Sequence, residues 1–277
     1  MVNSIEKIIN PRYHGFANIG SSKSKLERQS PAFEEIVSSV DLKDVGLVFN
    51  AQTFGPASFI DLKRFDYGEG FRMPTISELV PLVYAAMENQ RRYKTAEEIM
   101  TSMGCGQIVG NTITHFFDDG FFVEDNPRKI KTKVKDSYAK IIDIIIPRQE
   151  FLKKRLGSRE EQGVVFSGDG NLRFVPYGFK IGEQSTSEFV TNPGVLAVVK
   201  NQENAEKLAR FSKHSKLEFE LSPSLLPFIG QSRISSLHFR YWRGQGLLGD
   251  SFGICAGDFP DSNVKHTYGV RTFQKAA

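Results

Sequence analysis

Apolar residues recur along this chain at two spacings, and the change from one to the other marks where helices give way to strands. Thr75 and Glu78 stand at capping-box separation. Ile76, Leu79, Val80, Val83 and Met87 then follow along one helical face, which predicts a helix over 76–91. Pro81 falls inside it, where the ring meets the carbonyl four residues back, so this helix is expected to kink or to start late. Thr95 and Glu98 repeat the cap, Ile99, Met100 and Met103 supply a buried stripe, and Gly104 ends a second helix packed on the first.

Elsewhere the period falls to two. Val45–Phe49 and Ser58–Phe65 read as strands, and TITHFFDDGFFVE over 112–124 reads as a hairpin turning at Asp119-Gly120. Over 134–146 the spacing of Val134, Tyr138, Ile141, Ile142 and Ile145 favours a helix, although the isoleucine-dense end also suits a buried strand. A short basic helix follows Pro147 and stops at Gly157. Val164–Phe166 and Asn171–Val175 flank a turn-forming quartet, Ser167–Gly170. Ser185 with Glu188 and Asn192 with Pro193 cap short helices, and Ala205, Leu208 and Ala209 line another that starts near Asn201. Lys216–Leu221 alternates charged and apolar residues as a half-buried strand does. Three β-prone runs, 236–242, 247–256 and 267–273, close the chain, and their short connections predict antiparallel pairing.

The expected fold is α+β, with an N-terminal helical pair and hairpin and a C-terminal antiparallel sheet with covering helices. The basic helical region gives way to a glycine-rich β region at 157–163. This predicts two lobes, a mixed α/β one over 1–157 and a sheet-based one over 158–277.

Composition narrows the function classes. The chain has 277 residues, enough for a sizeable core, and its apolar (40%) and charged (25%) fractions argue against both disorder and a membrane protein. Its 23 phenylalanines predict an aromatic core. The densest apolar patch, Ile141–Ile146, is interrupted by Asp143 and is far too short to cross a bilayer. Glu6 and Lys7 break the N-terminal apolar run that a signal peptide needs, which predicts a cytoplasmic location. Cys105 and Cys255 are too few for a disulfide framework or a thiolate metal site and read as reduced and inert. Residues 18–31, polar and rich in serine and lysine, read as a loop.

Charge adds the most specific hint. Residues 128–159 carry eleven Lys or Arg against three acids, a local net of +8 in a chain whose formal total is +4. Segregated positive charge of this kind attracts polyanions. Arg128, Lys129, Lys131, Lys133 and Lys135 alternate with smaller side chains, so a strand here presents a row of cations about 6–7 Å apart, matched to a phosphate backbone. Neutralising five phosphates of duplex DNA gives a log–log salt slope of about −4.5. The same row also suits a solvated edge strand whose lysines deter aggregation.

Three blocks, PTISELVPLVYAAMEN, GNT at Gly110–Thr112, and RFVPYGFKIGEQ at Arg173–Gln184, resemble segments of uncharacterised archaeal hypothetical proteins. The resemblance is scattered. It implies an archaeal source and attaches no activity or catalytic residue.

Further along, strand alternation over 237–242 sets Leu237, Phe239 and Tyr241 on one side and His238, Arg240 and Trp242 on the other, with Arg243 adjacent. A cation, an imidazole and an indole form a stacking platform for unpaired bases, or an ordinary Trp–Arg packing pair. His238 and His266 fall on neighbouring predicted strands, so a metal-free acid–base pair of the kind nucleases use is the enzymatic alternative. His115, Asp118 and Asp119 resemble a metal cluster, but on a hairpin His115 and Asp119 need not face the same way, and Asp118-Asp119-Gly120 is already explained by the turn. Asp250, Asp258 and Glu183 would hold Mg²⁺ only if folding brought them together. No Walker loop, dinucleotide fingerprint, nucleophile elbow, HExxH or paired CxxC occurs, and no cofactor or metal is expected. The leading expectation is RNA or single-strand binding. The alternatives are an enzyme and a homo-oligomeric scaffold, for which a large apolar patch is the sign.

Overall fold

The computed structural model describes residues 46–89, 91–92, 94–105, 107–127, 132–133, 143–144, 149–221, 233–242, 250–258 and 265–272. In chain order the first elements are β1 (Leu47–Ala57), α1 (Phe59–Leu62), α2 (Ile76–Asn89), α3 (Lys94–Cys105), β2 (Gln107–Phe117), β3 (Gly120–Asp125), β4 (Thr132–Lys133) and β5 (Asp143–Ile144). Then come α4 (Gln149–Arg155), β6 (Leu156–Glu161), β7 (Val164–Ser167), β8 (Leu172–Pro176), β9 (Gly182–Gln184), α5 (Thr186–Thr191), α6 (Pro193–Val199) and α7 (Gln202–Ala209). The last four are β10 (Lys216–Leu221), β11 (Arg233–Trp242), β12 (Ser251–Asp258) and β13 (Lys265–Thr272).

The described chain is thus mixed α+β and mostly β. Eleven strands make one sheet, ordered β6-β7-β8-β3-β2-β11-β12-β10-β9, with β13 joining β2 and β1 pairing β13. β2 is its hub. One edge holds β11. The other holds β3 along Thr112–Phe117 and, in parallel, β13 at Gln107 and Ile108. The sheet is mixed rather than antiparallel, since β10 also runs parallel to β12. It crosses the expected lobe boundary, because β8 pairs β3 and β11 pairs β2.

Local chemistry accounts for most elements. The Thr75–Glu78 box forms: the Glu78 carboxylate accepts from the Thr75 amide at 2.7 Å and the Glu78 amide donates to the Thr75 hydroxyl at 3.3 Å. α2 then runs through Pro81 without ending, held by burial of nearly its whole circumference. α3 starts one residue before Thr95, which therefore lies inside the helix rather than capping it. Residues 58–65 are not a strand. The Ser58 side chain accepts from the Asp61 amide, and Phe59 and Leu62, three apart, bury together as α1. In the β2–β3 hairpin Phe117 faces Gly120, so Asp118-Asp119 is the two-residue turn. Gly120 serves close approach instead, for a Cβ there would lie 2.2 Å from the Val175 carbonyl oxygen. Within 134–146, Asp143 and Ile144 form a strand paired with Thr132 and Lys133, against the helical expectation there; the remaining positions lie outside the described residues.

The strands sort their side chains onto two faces. One carries Ile108, Phe116, Phe121, Phe239 and Ile254 into a continuous core with α2, α3, α5, α6 and α7. Among the described residues, helices cover the other at two places. Phe59 and Leu62 of α1 pack on Val109 and Ile113, and Leu152 of α4 packs on Phe122 and Leu172. The first is the five-helix face and the second the two-helix face.

Candidate functional site

β11 keeps its alternation. Pairing with β12 runs unbroken from Leu237–Ala256 to Trp242–Ser251. Leu237, Phe239 and Tyr241 enter the five-helix core, so His238 and Arg240 turn to the two-helix face, while the Trp242 side chain lies outside what is described. Arg243 lies outside the described residues.

His238 stands in register with Val109 and with Cys255, and is buried with no partner for Nδ1. Burial first, then the charges of Lys265 and Arg240, push its pKa down to about 3, so the ring is neutral at ordinary pH. Cys255 lies in register with Glu220 and donates to its carboxylate at 3.2 Å. Burial and that carboxylate hold the thiol well above its usual pKa, leaving it protonated.

His266 pairs with Ile108 and is in phase with Tyr268 and Val270, which point into the five-helix core. The two histidines therefore flank β2 but face opposite sides of the sheet, and the register brings no acid–base pair together. Burial lowers the pKa of His266 as well.

Of the basic segment, Arg128, Lys129, Lys131 and Lys135 lie outside the described residues, and Lys133 occupies β4 opposite Asp143. Its C-terminal part is α4 and the start of β6, on the two-helix face. Lys153 pairs with Asp119 at 2.7 Å, and Gln149 also donates to Asp119. Arg159 pairs with Glu161 at 2.7 Å, and Lys154 is exposed. Among the described residues Phe151 is the most exposed large apolar side chain, at 57%, and the Arg155 guanidinium lies over its ring at 6.0 Å from the centroid.

Arg155 leads to a feature that sequence reasoning missed. Its Nη1 donates to Oε1 of buried Glu124 at 2.7 Å, while Oε2 of Glu124 lies 3.0 Å from Nε2 of His115. Burial raises the pKa of Glu124, but the hydrogen bonds and charges of His115 and Arg155 outweigh it and hold the carboxyl below its usual range. Nδ1 of His115 is buried with no partner. Lys63 lies near the same carboxylate and donates to the Pro127 carbonyl. Burial lowers its pKa, partly offset by Glu124. The signal was present in the alternation of His115, Phe117, Phe122 and Glu124 across the expected hairpin, which sets all four on one face.

A second buried network lies on the five-helix face. Asp125 accepts from Arg173 at 2.6 Å, from Lys200 at 2.9 Å and from Thr112 at 2.6 Å, and Thr112 in turn accepts the Ile76 amide at the start of α2. It joins strands to helix ends, which is structural work.

No group of three or more His, Cys, Asp or Glu that could hold a metal ion occurs among the described residues. Asp250 instead accepts from the Tyr241 hydroxyl at 2.6 Å, and Glu183 pairs with Lys216 at 2.7 Å. No helix among these residues is long and apolar enough to cross a membrane. No protein-family model, curated protein or solved structure matches the chain.

Proposed function

We propose that this protein binds single-stranded nucleic acid across the two-helix face, through the basic segment at 128–159 together with Arg240 and Trp242 of β11, His238 itself being buried. One observation carries the reading. α4, with Lys153, Lys154 and Arg155, packs on the same side of the sheet to which β11 turns His238 and Arg240. Cations remote in sequence then share one side, and shared potential is what a phosphate backbone responds to. The pairs Lys153–Asp119 and Arg159–Glu161 are exposed, and such pairs are weak in water, so a phosphate can replace the carboxylate at little cost.

The test is a titration of fluorescent single-stranded oligonucleotides at several salt concentrations, with wild-type protein and with Lys131→Glu and Lys133→Glu. If five phosphates are engaged, the log–log salt slope is about −3.5. Each charge reversal weakens binding and flattens the slope. Weak binding indifferent to both salt and charge reversal contradicts the proposal.

A further inference from the structure

Phe151 belongs in a core by its chemistry and stands in water instead. α4 buries Leu152 against Phe122 and Leu172, and the adjacent Phe151 is 57% exposed, against 45% for Phe65 and 43% for Ile181. Phe151, Lys154 and Arg155 stand at i, i+3 and i+4, so they share one outward strip of the helix. Arg155 lies 6.0 Å from the Phe151 ring centroid and is anchored from below by Glu124. An exposed ring flanked by two cations matches a ligand that has both a flat aromatic face and a negative charge.

We propose that Phe151 is a base-stacking residue: an unpaired nucleobase lies on its ring, Arg155 frames the stack, and Lys154 takes the adjoining phosphate. This rests on the single-strand reading above and names the residue that contacts a base. Glu124 and His115 act as positioning residues for Arg155. An anionic membrane surface is the rival occupant of an exposed aromatic among cations, and the test includes it.

The experiment compares wild type, Phe151→Ala, Phe151→Tyr and Lys154→Glu by titration with an oligouridylate, an oligothymidylate and an abasic oligodeoxynucleotide of equal length, and with phosphatidylserine vesicles. Stacking on one base accounts for about 1–3 kcal/mol, so Phe151→Ala is expected to weaken binding to the base-bearing strands about five- to 150-fold and Phe151→Tyr to restore it. The salt slope stays unchanged in Phe151→Ala and falls by about 0.7 in Lys154→Glu. Wild type prefers base-bearing to abasic strands, and Phe151→Ala loses that preference. A loss confined to the uridylate or the thymidylate arm identifies which nucleic acid uses the site. Salt-dependent wild-type binding unaffected by Phe151→Ala overturns the stacking site while sparing single-strand binding. No wild-type binding to any oligonucleotide, or binding to vesicles alone, overturns both.

Discussion

Glu124 and Arg155 are joined across 2.7 Å, the carboxylate buried beneath the sheet surface and the guanidinium reaching solvent, so an internal charge fixes the aim of a surface cation. Removing the carboxylate frees Arg155 and strands the buried His115 ring with neither nitrogen paired. Glu124→Ala is therefore expected to cost about 1–3 kcal/mol in denaturant unfolding, with Glu124→Gln costing less because it keeps an acceptor. The depressed carboxyl also sets a pH window. Its contribution is complete above the ordinary glutamate value, about 4.3, and is lost as pH falls through the lower folded value, so the Glu124→Gln variant loses less stability than wild type on acidification. Equal acid sensitivity contradicts this assignment.

Arg173 and Asp125 form a pair wholly removed from water. Breaking it leaves buried Asp125 with Lys200 as its remaining charge partner, so Arg173→Met is expected to lower unfolding free energy by up to about 3–5 kcal/mol. Denaturant titration of the variant measures this directly, and a change below about 1 kcal/mol would mean that Lys200 and Thr112 suffice for Asp125.

His238 gives a second handle on protonation, with the same sign as Glu124 but in a higher pH window. Its folded pKa, pushed down to about 3 by burial and by Lys265 and Arg240, lies below the unfolded value of about 6.5. The neutral ring contributes stability that is complete above pH ~6.5 and is lost as pH falls toward 3. The imidazole resonances of this residue should stay unshifted from pH 7 to pH 5. A midpoint near 6.5 would place the ring in water.

Gly110 sits where the start of α2 meets β2, and a Cβ there would stand 2.3 Å from the Ile76 nitrogen and 2.5 Å from the Thr75 carbonyl carbon. Both are backbone atoms and cannot rotate away. Gly110→Ala is expected to destabilise by about 1–3 kcal/mol, read as a lower thermal midpoint, whereas Gly168→Ala, with nothing within 4 Å of its Cβ, leaves the midpoint nearly unchanged.

Legibility followed the range of the forces. Elements closed by contacts within a few residues were readable: the Thr75–Glu78 and Ser185–Glu188 boxes, the Asn192–Pro193 and Asn201 helix starts, and the inward alternation of Leu217 and Phe219. Ser58–Phe65 misled because a two-residue apolar spacing and a three-residue one coexist there, and burial against Val109 and Ile113 decided for the helix. Long-range pairing was hidden. Nothing local in Lys265 or His266 states that their strand joins β2 in parallel, and that single fact sends His266 away from His238. The Glu124 site was hidden for the same reason, since Arg155 reaches it from another element 31 residues away.

Photo-crosslinking tests the central claim, that a single strand docks on the two-helix face, more directly than affinity does. An oligonucleotide carrying 4-thiouridine at successive positions, irradiated with the protein and mapped by peptide mass spectrometry, should label Phe151 and its neighbours in α4 together with Arg240 of β11, and the labelling should fade as salt rises. Crosslinks concentrated on α5, α6 and α7, which cover the other side of the sheet, or spread without preference over the surface, would contradict it.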